Sequence, residues 1–494
     1  MQIHWRLAKN ALANLGRGSA AAVAALLLPP VLVRHMTPAS YGVWVIALQT
    51  AAYMGFVDFG LQTAVGRYIA FSNEKKDTVW RDAIFSTALA GLSIAALLGF
   101  VVIVGIAIAS HQIFPEIPAP LLPSLRLTIF IVGVSAALGL PASTSSGVFV
   151  GLQRNEIPAL AIGTGKLFSA IGLILAAIMR RSLVCMAVIV ASANLYSYAL
   201  QIGLMRRIAP EIRFRKILIT PAVIRELLGY CSSMTIWQFS SFLVSGLDLI
   251  LVGRFQFNEV TPYAVSATLI TFLGGLQVAV FGVIMPHAAE LHARQRSEEL
   301  GSLLVKTTRL GLLMLLLTGL PLIVFAAPII RIWIGAQFAR AGGDLLAILV
   351  IANMVRLVGI PYASILMGTG QQKLVIVSPV MEGVTNLLAS VLLGLKFGAA
   401  GVAWGTLIGA FVGMFAHVLY NFPRTKACIC VSQWKFVKIG ILEPSTAAIP
   451  ICLAAIYAEW KGMEVTVPLA IAFALSMCVS FSLVIKSVPQ FRKV

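Results

Sequence analysis

The chain has 494 residues, of which 59% are hydrophobic and only 11% charged, a balance that excludes an ordinary soluble domain and leaves an integral membrane protein. A formal net charge of +19 would suggest a nucleic-acid partner in a soluble protein, so the placement of the basic residues decides what that charge means. Strands of alternating polarity are absent, which argues against a β-barrel, whereas apolar runs of about 20 residues recur throughout, each long enough to cross about 30 Å of hydrocarbon as a helix.

In chain order, about fourteen spans are predicted. They lie near residues 10–33, 41–66, 83–110, 125–150, 157–179 and 183–205, then 227–253, 262–289, 303–332, 344–368, 373–395, 400–421, 443–460 and 465–486. The first run lacks a small-residue cleavage site and is expected to be a retained span, not a removed signal peptide. Asn10, Asn14 and Arg17 open it, spaced so that a helix puts them on one face. Pro29 and Pro30 are expected to kink the first span, and Pro141 the fourth.

The second span carries Asp58. At 1.5 Å per residue, Arg17 lies about 12 Å beyond Lys9 and Asp58 about 18 Å from the cytoplasmic end of its span. Two readings stay open: an ion pair that neutralises both charges, or an Arg17 that contacts a substrate phosphate or acidic sugar while Asp58 holds it in place. The seventh span carries a second polar stripe, Trp237, Gln238, Ser241, Ser245 and Asp248. Buried charge in a span is costly and faces a protein interior or a wet cavity, so the two stripes are read as facing walls of one central cavity. Asp248 lies near the outer end of its span, which favours ordinary solvation over a proton or cation site.

Arg356 and Asn353 mark the tenth span, and Glu382 and Asn386 share a face of the eleventh; a structural Arg356–Glu382 pair is the expected arrangement, with Arg356 also a candidate for substrate. Lys166, in the fifth span, falls almost at the repeat-equivalent of Glu382. Opposite charges on opposite lobes would suit a phosphorylated substrate on the first, near Lys166, and a coupling cation on the second, near Asp248, Glu382 and Asn386. In the twelfth span Gly401, Gly405, Gly409 and Gly413 form an every-fourth ridge, read as a packing surface.

The longest hydrophilic gap is a basic connector, and the predicted organisation is an N-terminal six-helix lobe over 1–206, the connector over 207–226, a second six-helix lobe over 227–422 and two extra helices over 423–494. Gly151-Leu152-Gln153-Arg154 at the end of the fourth span echoes Gly368-Thr369-Gly370-Gln371 at the end of the tenth, and Arg34 with Tyr41 echoes Arg254 with Tyr263. An even number of spans per repeat relates the lobes by a pseudo-two-fold axis along the membrane normal. The fold class expected is thus all-α and polytopic. Most Lys and Arg fall on the side of Arg6 and Lys9, notably Arg206, Arg207, Arg213, Arg215 and Lys216. That bias puts both termini in the cytoplasm, accounts for the basic excess without nucleic acid, and is broken by Arg180 and Arg181.

Enzyme signatures are missing, and no catalytic, metal or cofactor site is expected. Gly163-Thr164-Gly165-Lys166 resembles the end of a phosphate loop, but Leu167 replaces the required hydroxyl residue; His287, Glu290 and His292 match no zinc spacing. The six cysteines show no pairing pattern and read as apolar fillers.

Pro30-Val-Leu-Val-Arg34, Thr37-Pro38, Tyr41-Gly42-Val-Trp44, Asp58-Phe59-Gly60-Leu61 with Ala64 and Arg67, and later Gly398-Ala399-Ala400-Gly401-Val402-Ala403 with Thr406, together resemble the polysaccharide transport family, the O-antigen and exopolysaccharide flippases of the multidrug, oligosaccharidyl-lipid and polysaccharide exporter superfamily. The resemblance implies a multi-pass protein of the bacterial inner membrane that moves an undecaprenyl-diphosphate-linked oligosaccharide between leaflets by alternating access, lining its lumen with the first and seventh spans. It implies the lipid-linked oligosaccharide as substrate and a polysaccharide polymerase and glycosyltransferases as pathway partners. Coupling to a proton or sodium gradient stays open, as do a lipid II flippase and a cation-coupled multidrug antiporter of the same superfamily.

Overall fold

The computed structural model describes residues 26–281 and 284–446, with 449, 450, 453, 475 and 478 beyond them. Among the described residues every regular element is a helix, and ten helical stretches are long and apolar enough to cross a membrane. They account for the second to twelfth predicted spans, because Lys373–Arg424 holds two spans folded back at Gly398, where φ is 58°. Of the first span the structure describes the helix Leu26–His35; the last two lie almost wholly outside the described residues.

Several predicted spans are interrupted, the tenth among them, where the helix Ala339–Leu357 stops and Ile360–Thr369 restarts. The second, expected as one helix over 41–66, is a helix Pro38–Ala52, a tight 3-10 turn Tyr53–Asp58, and a second helix Leu61–Lys75. Phe59 and Gly60 stand between them at φ 52° and 78°, two consecutive left-handed residues that no α-helix continues through. The seventh, expected over 227–253, ends as Pro221–Ser245 and restarts as Asp248–Phe255. The ninth stops at Val324, with Pro321 inside its last turn, and a short helix Ala326–Trp333 follows.

The chain divides into two compact units: one runs to Phe242 and takes in Val252–Thr261, the other holds Leu243–Leu251 and everything from Pro262. The division thus falls within the seventh span. Each unit has its own apolar core. In the first, Val65, Ile69, Ile84, Phe85, Val148 and Phe149 pack together with Leu227 and Cys231. In the second, Ile284, Leu300, Leu304, Ile365, Leu366 and Phe422 do so.

Local backbone reveals the repeat more firmly than the sequence does. The fourth span ends with Gln153 at φ 57° and an Arg154 amide bonded to the Phe149 carbonyl; the tenth ends with Gly370 at φ 72° and a Gln371 amide bonded to Leu366. Left-handed Lys76 has its counterpart in Gln295, again with the next amide reaching back five residues, Asp77 to Ser72 and Arg296 to Leu291. Arg180, at φ 50°, corresponds in position to Gly398. These three pairs are 217, 219 and 218 positions apart.

The basic connector is docked, not merely solvated. Arg215 Nε lies 3.3 Å from Asp82 Oδ2, its amide donates to Ser86 Oγ (2.8 Å), and Arg81 donates to the Glu211 carbonyl (3.3 Å). Arg81 and Asp82 are buried, so the third span begins with charges that the connector pairs in part, Arg81 Nε and Asp82 Oδ1 having no hydrogen-bond partner among the described residues.

Candidate functional site

Two polar clusters form inside the apolar spans, one in each unit. The first centres on the break in the second span. Asp58 Oδ1 accepts the Gln62 amide (3.3 Å) in the first turn of the helix that restarts at Leu61, a role the sequence reading did not give it. The break frees backbone carbonyls at membrane depth, and such groups must find partners. Thr235 Oγ1, on the seventh span, lies 3.4 Å from the Phe59 carbonyl. On the same helix Phe242 meets Tyr53 and Phe56 edge-on, with ring centroids 5.0 and 5.2 Å apart. Nine residues further along, from Phe59 to Tyr68 and from Thr235 to Glu226, Tyr68 donates to Glu226 Oε1 (2.6 Å), and the Arg67 guanidinium lies 4.8 Å from the centre of the Tyr230 ring. The broken second span and the first two-thirds of the seventh are therefore joined by polar and aromatic contacts along their length.

Asn10, Asn14 and Arg17 lie outside the described residues, so the first-span stripe and its proposed pairing with Asp58 find no geometry here. Of the second stripe, Trp237, Gln238, Ser241 and Ser245 lie on the Pro221–Ser245 helix, with Gln238 and Ser241 half-buried. Asp248 belongs to the next helix, since Gly246 and Leu247 interrupt the stripe. Lys166 is exposed in the middle of the Glu156–Ile178 helix, so the Gly163-Thr164-Gly165 run before it forms no phosphate loop.

The second cluster centres on Asp248. Tyr263 donates to its Oδ2 (3.2 Å), and Thr406 Oγ1 lies 3.1 Å from the same oxygen. Asp248 is therefore held by side chains of the eighth and twelfth spans, not left to ordinary solvation at a span end as the sequence reading favoured. Arg356 acts on it electrostatically from the tenth span. The Arg356–Glu382 pair is present: Nε donates to Oε1 at 2.6 Å, and Nη1 donates to Asn353 Oδ1 at 3.2 Å. Arg356 Nη2 is buried with no hydrogen-bond partner among the described residues.

The glycine ridge makes this cluster possible. Gly405, Gly409 and Gly413 lie against Ser390, Asn386 and Glu382 respectively, and Gly401 against the Leu393 carbonyl. Side chains at these glycines would hold the eleventh and twelfth spans apart. With the spans in contact, Ser390 Oγ lies 2.9 Å from Asn386 Oδ1 and 3.2 Å from the Val402 carbonyl, while Asn386 Nδ2 donates to the Val244 carbonyl. Asn386 and Ser390 are both fully buried. The ridge was read as packing, and it is; it also delivers polar groups to one place. Sequence reasoning missed Tyr263, Ser390, Thr406 and Thr235 as site residues. Ser390 was within reach, one turn further along the Glu382–Asn386 face. Among the described residues no group of three or more His, Cys, Asp or Glu is placed to hold a metal ion.

Residues 7–292, more than half of the chain, match the model of a family described as polysaccharide biosynthesis proteins. The chain belongs to that family. Among curated relatives of this polysaccharide biosynthesis protein is a probable low-salt glycan biosynthesis flippase, Agl15, of Haloferax volcanii, 25% identical over 207 residues. That match covers 41% of this chain and 43% of the relative, less than half of its length. Among solved structures, the lipid II flippase MurJ in an inward closed conformation superposes with a TM-score of 0.72 at 14% identity, covering 97% of this chain and 98% of that one. An inward-facing multidrug resistance MATE family transporter of the MOP superfamily gives 0.68 at 13% identity, covering 85% and 98%. At such identities the likeness is one of fold: the polysaccharide biosynthesis protein has the helical fold of MOP-superfamily transporters, and its relatives are flippases and transporters, not enzymes.

Proposed function

We propose that this polysaccharide biosynthesis protein is a flippase that moves undecaprenyl-diphosphate-linked oligosaccharide repeat units across the bacterial inner membrane, with both termini in the cytoplasm, for O-antigen or exopolysaccharide assembly. The observation that carries the reading is the helix broken at Asp58-Phe59-Gly60, braced by Thr235 of the seventh span, within the stretch that matches the family. Interrupted helices inside the membrane belong where a polar ligand passes or a helix moves. The glycan biosynthesis flippase among its relatives supports the substrate class. On this reading Asn10, Asn14 and Arg17 meet the diphosphate, with Lys166 a further basic contact on the same unit. Trp237, Gln238, Ser241 and Ser245 meet sugar.

The Asp248 cluster favours an additional role in coupling. A carboxylate with two hydroxyls, on the unit that also carries Asn386 and Glu382, offers the oxygen ligands that a sodium ion or a transported proton needs. The arginine of the pair, Arg356, holds Glu382 in the cluster, and its unpartnered Nη2 remains for an anionic group.

Deleting the gene should leave a lipid-linked repeat unit on the cytoplasmic leaflet while surface polysaccharide disappears, and Arg17→Ala should reproduce this with normal protein levels. Surface polysaccharide unchanged in a strain without a second flippase would refute the reading. Arrested cell-wall synthesis would point to lipid II, and dye efflux to a multidrug antiporter, the alternatives that share this fold.

A further inference from the structure

We infer that the first unit holds a lipid site separate from both polar clusters: a cavity between the third, fourth and sixth spans that takes one anionic lipid from the leaflet on the basic face of the protein. The cavity measures about 800 Å³ and is lined by Phe85 and Leu89 of the third span, Leu138 to Ser145 of the fourth, and Leu195 to Arg206 of the sixth. That volume falls in the range of ligand sites, about 300–1,000 Å³. Its floor is the turn after the sixth span, Ala209 to Phe214.

The lining changes character along its length. Leu138 and Leu195, at the far end, are each close to half exposed, so the cavity opens sideways between the fourth and sixth spans at a depth where only hydrocarbon is present. Arg206 and Arg213 stand at the other end. From Leu195 to Arg206 is 11 residues of the sixth helix, about 17 Å at 1.5 Å each, or half of a hydrocarbon core about 30 Å thick. One lipid chain of one leaflet matches that depth.

Charge complementarity selects the occupant. The Arg206 guanidinium pairs with no carboxylate among the described residues, and Arg213 Nε is used only to fix the side chain on the Pro210 carbonyl (3.1 Å), which leaves its remaining donors directed elsewhere. The connector that carries Arg213 is held in place by the Arg215–Asp82 pair and the Ser86 bond, so the basic end is preformed. A basic pocket between helices at the cytoplasmic surface is the chemistry that recognises a lipid phosphate. An uncharged lipid would leave both arginines unmet, and a free phosphate would leave the apolar length of the cavity without a partner. Pro141, which leaves the helix Leu122–Gly151 without one backbone donor, lies in the same wall, so a bound lipid contacts the helix at that point.

The test uses the purified full chain in delipidated detergent, titrated with phosphatidylglycerol or phosphatidylcholine and read by native mass spectrometry. One saturable phosphatidylglycerol per chain is expected, with phosphatidylcholine at least tenfold weaker. Arg206→Ala with Arg213→Ala should weaken it about thirtyfold, which at 1.4 kcal/mol per tenfold corresponds to about 1 kcal/mol for each arginine beside a lipid phosphate. Ala199→Trp, which fills the exposed wall of the cavity, should weaken it as much with both arginines intact. Arg207→Ala, in the same helical turn but outside the lining, should have little effect. Equal loss in Arg207→Ala, equal binding of phosphatidylcholine, or displacement by inorganic phosphate alone would each overturn the lipid site. Because Arg206 and Arg213 are exposed, their loss leaves the fold intact and the titration decisive even where the tryptophan variant is poorly expressed.

Discussion

The glycine ridge of the twelfth span allows a quantitative test. In Gly405→Ala the new methyl carbon would lie 2.4 Å from both the Ser390 amide nitrogen and its Oγ, against ordinary contacts of 3.4 Å or more, so the two helices must part by about 1 Å. Overpacking of this kind costs about 1–3 kcal/mol. The same movement carries Thr406 away from Asp248 Oδ2, now 3.1 Å distant, and Ser390 away from the Val402 carbonyl, 3.2 Å distant, at about 1 kcal/mol for each bond lost. Alanine's better helix propensity returns about 1 kcal/mol. The net expectation is a loss of about 2–4 kcal/mol, together with loss of transport. Gly203→Ala serves as the reference, because its added methyl meets nothing within 4 Å and should stabilise by up to about 1 kcal/mol. Unfolding of the purified protein in detergent, followed by tryptophan fluorescence, compares the two, and surface polysaccharide in cells reports transport. A Gly405→Ala protein within about 0.5 kcal/mol of Gly203→Ala, with normal polysaccharide, would show that the helices do not depend on contact at this ridge.

Arg356→Ala should cost about 3–5 kcal/mol by stranding a mostly buried Glu382, whereas Arg356→Met combined with Glu382→Leu should recover most of that loss; a double variant as unstable as the single one would contradict the pairing. Asp248→Asn should leave the protein inserted but make transport insensitive to collapse of the proton or sodium gradient, measured by flipping in vesicles with and without ionophore. An unchanged gradient response would remove Asp248 from coupling. Gln153→Gly should stabilise by about 1 kcal/mol, since it relieves a left-handed side chain at the position where the second repeat already has Gly370, and a thermal melt that fails to rise would place the strain elsewhere.

The spans were legible because apolar length is a one-dimensional signal, and nearly every described run emerged where hydropathy put it. Their interruptions were not. Tyr53 to Asp58 is apolar enough to pass for helix, and only Gly60 hinted that the backbone turns left-handed there. The Arg356–Glu382 pair was legible as two opposite charges on neighbouring spans. The environment of Asp248 was not, because Tyr263 and Thr406 arrive from spans eight and twelve and carry ordinary packing roles in the linear pattern. The connector was legible as a basic stretch between runs; what sequence hides is that Asp82 and Ser86, at the start of the third span, are partners of Arg215.

The second span can be regarded as two levers on one pivot. Its lower arm, Leu61–Lys75, is clamped, because Gly147 and Gly151 of the fourth span sit directly on the Gln62 and Gly66 carbonyls with no room for a side chain between. Its upper arm, Pro38–Ala52, ends in a turn whose helical ladder is already interrupted. Swinging the upper arm about Phe59 and Gly60 therefore breaks no α-helical hydrogen bond, and the resistance to that swing comes from side-chain packing, from the Thr261 hydroxyl on the Pro38 carbonyl (2.9 Å), from the Thr235 contact and from the Tyr53 and Phe56 rings against Phe242. The stiffness of the joint is thus set by side chains around it, not by its own backbone, and it would change whenever the seventh span shifts.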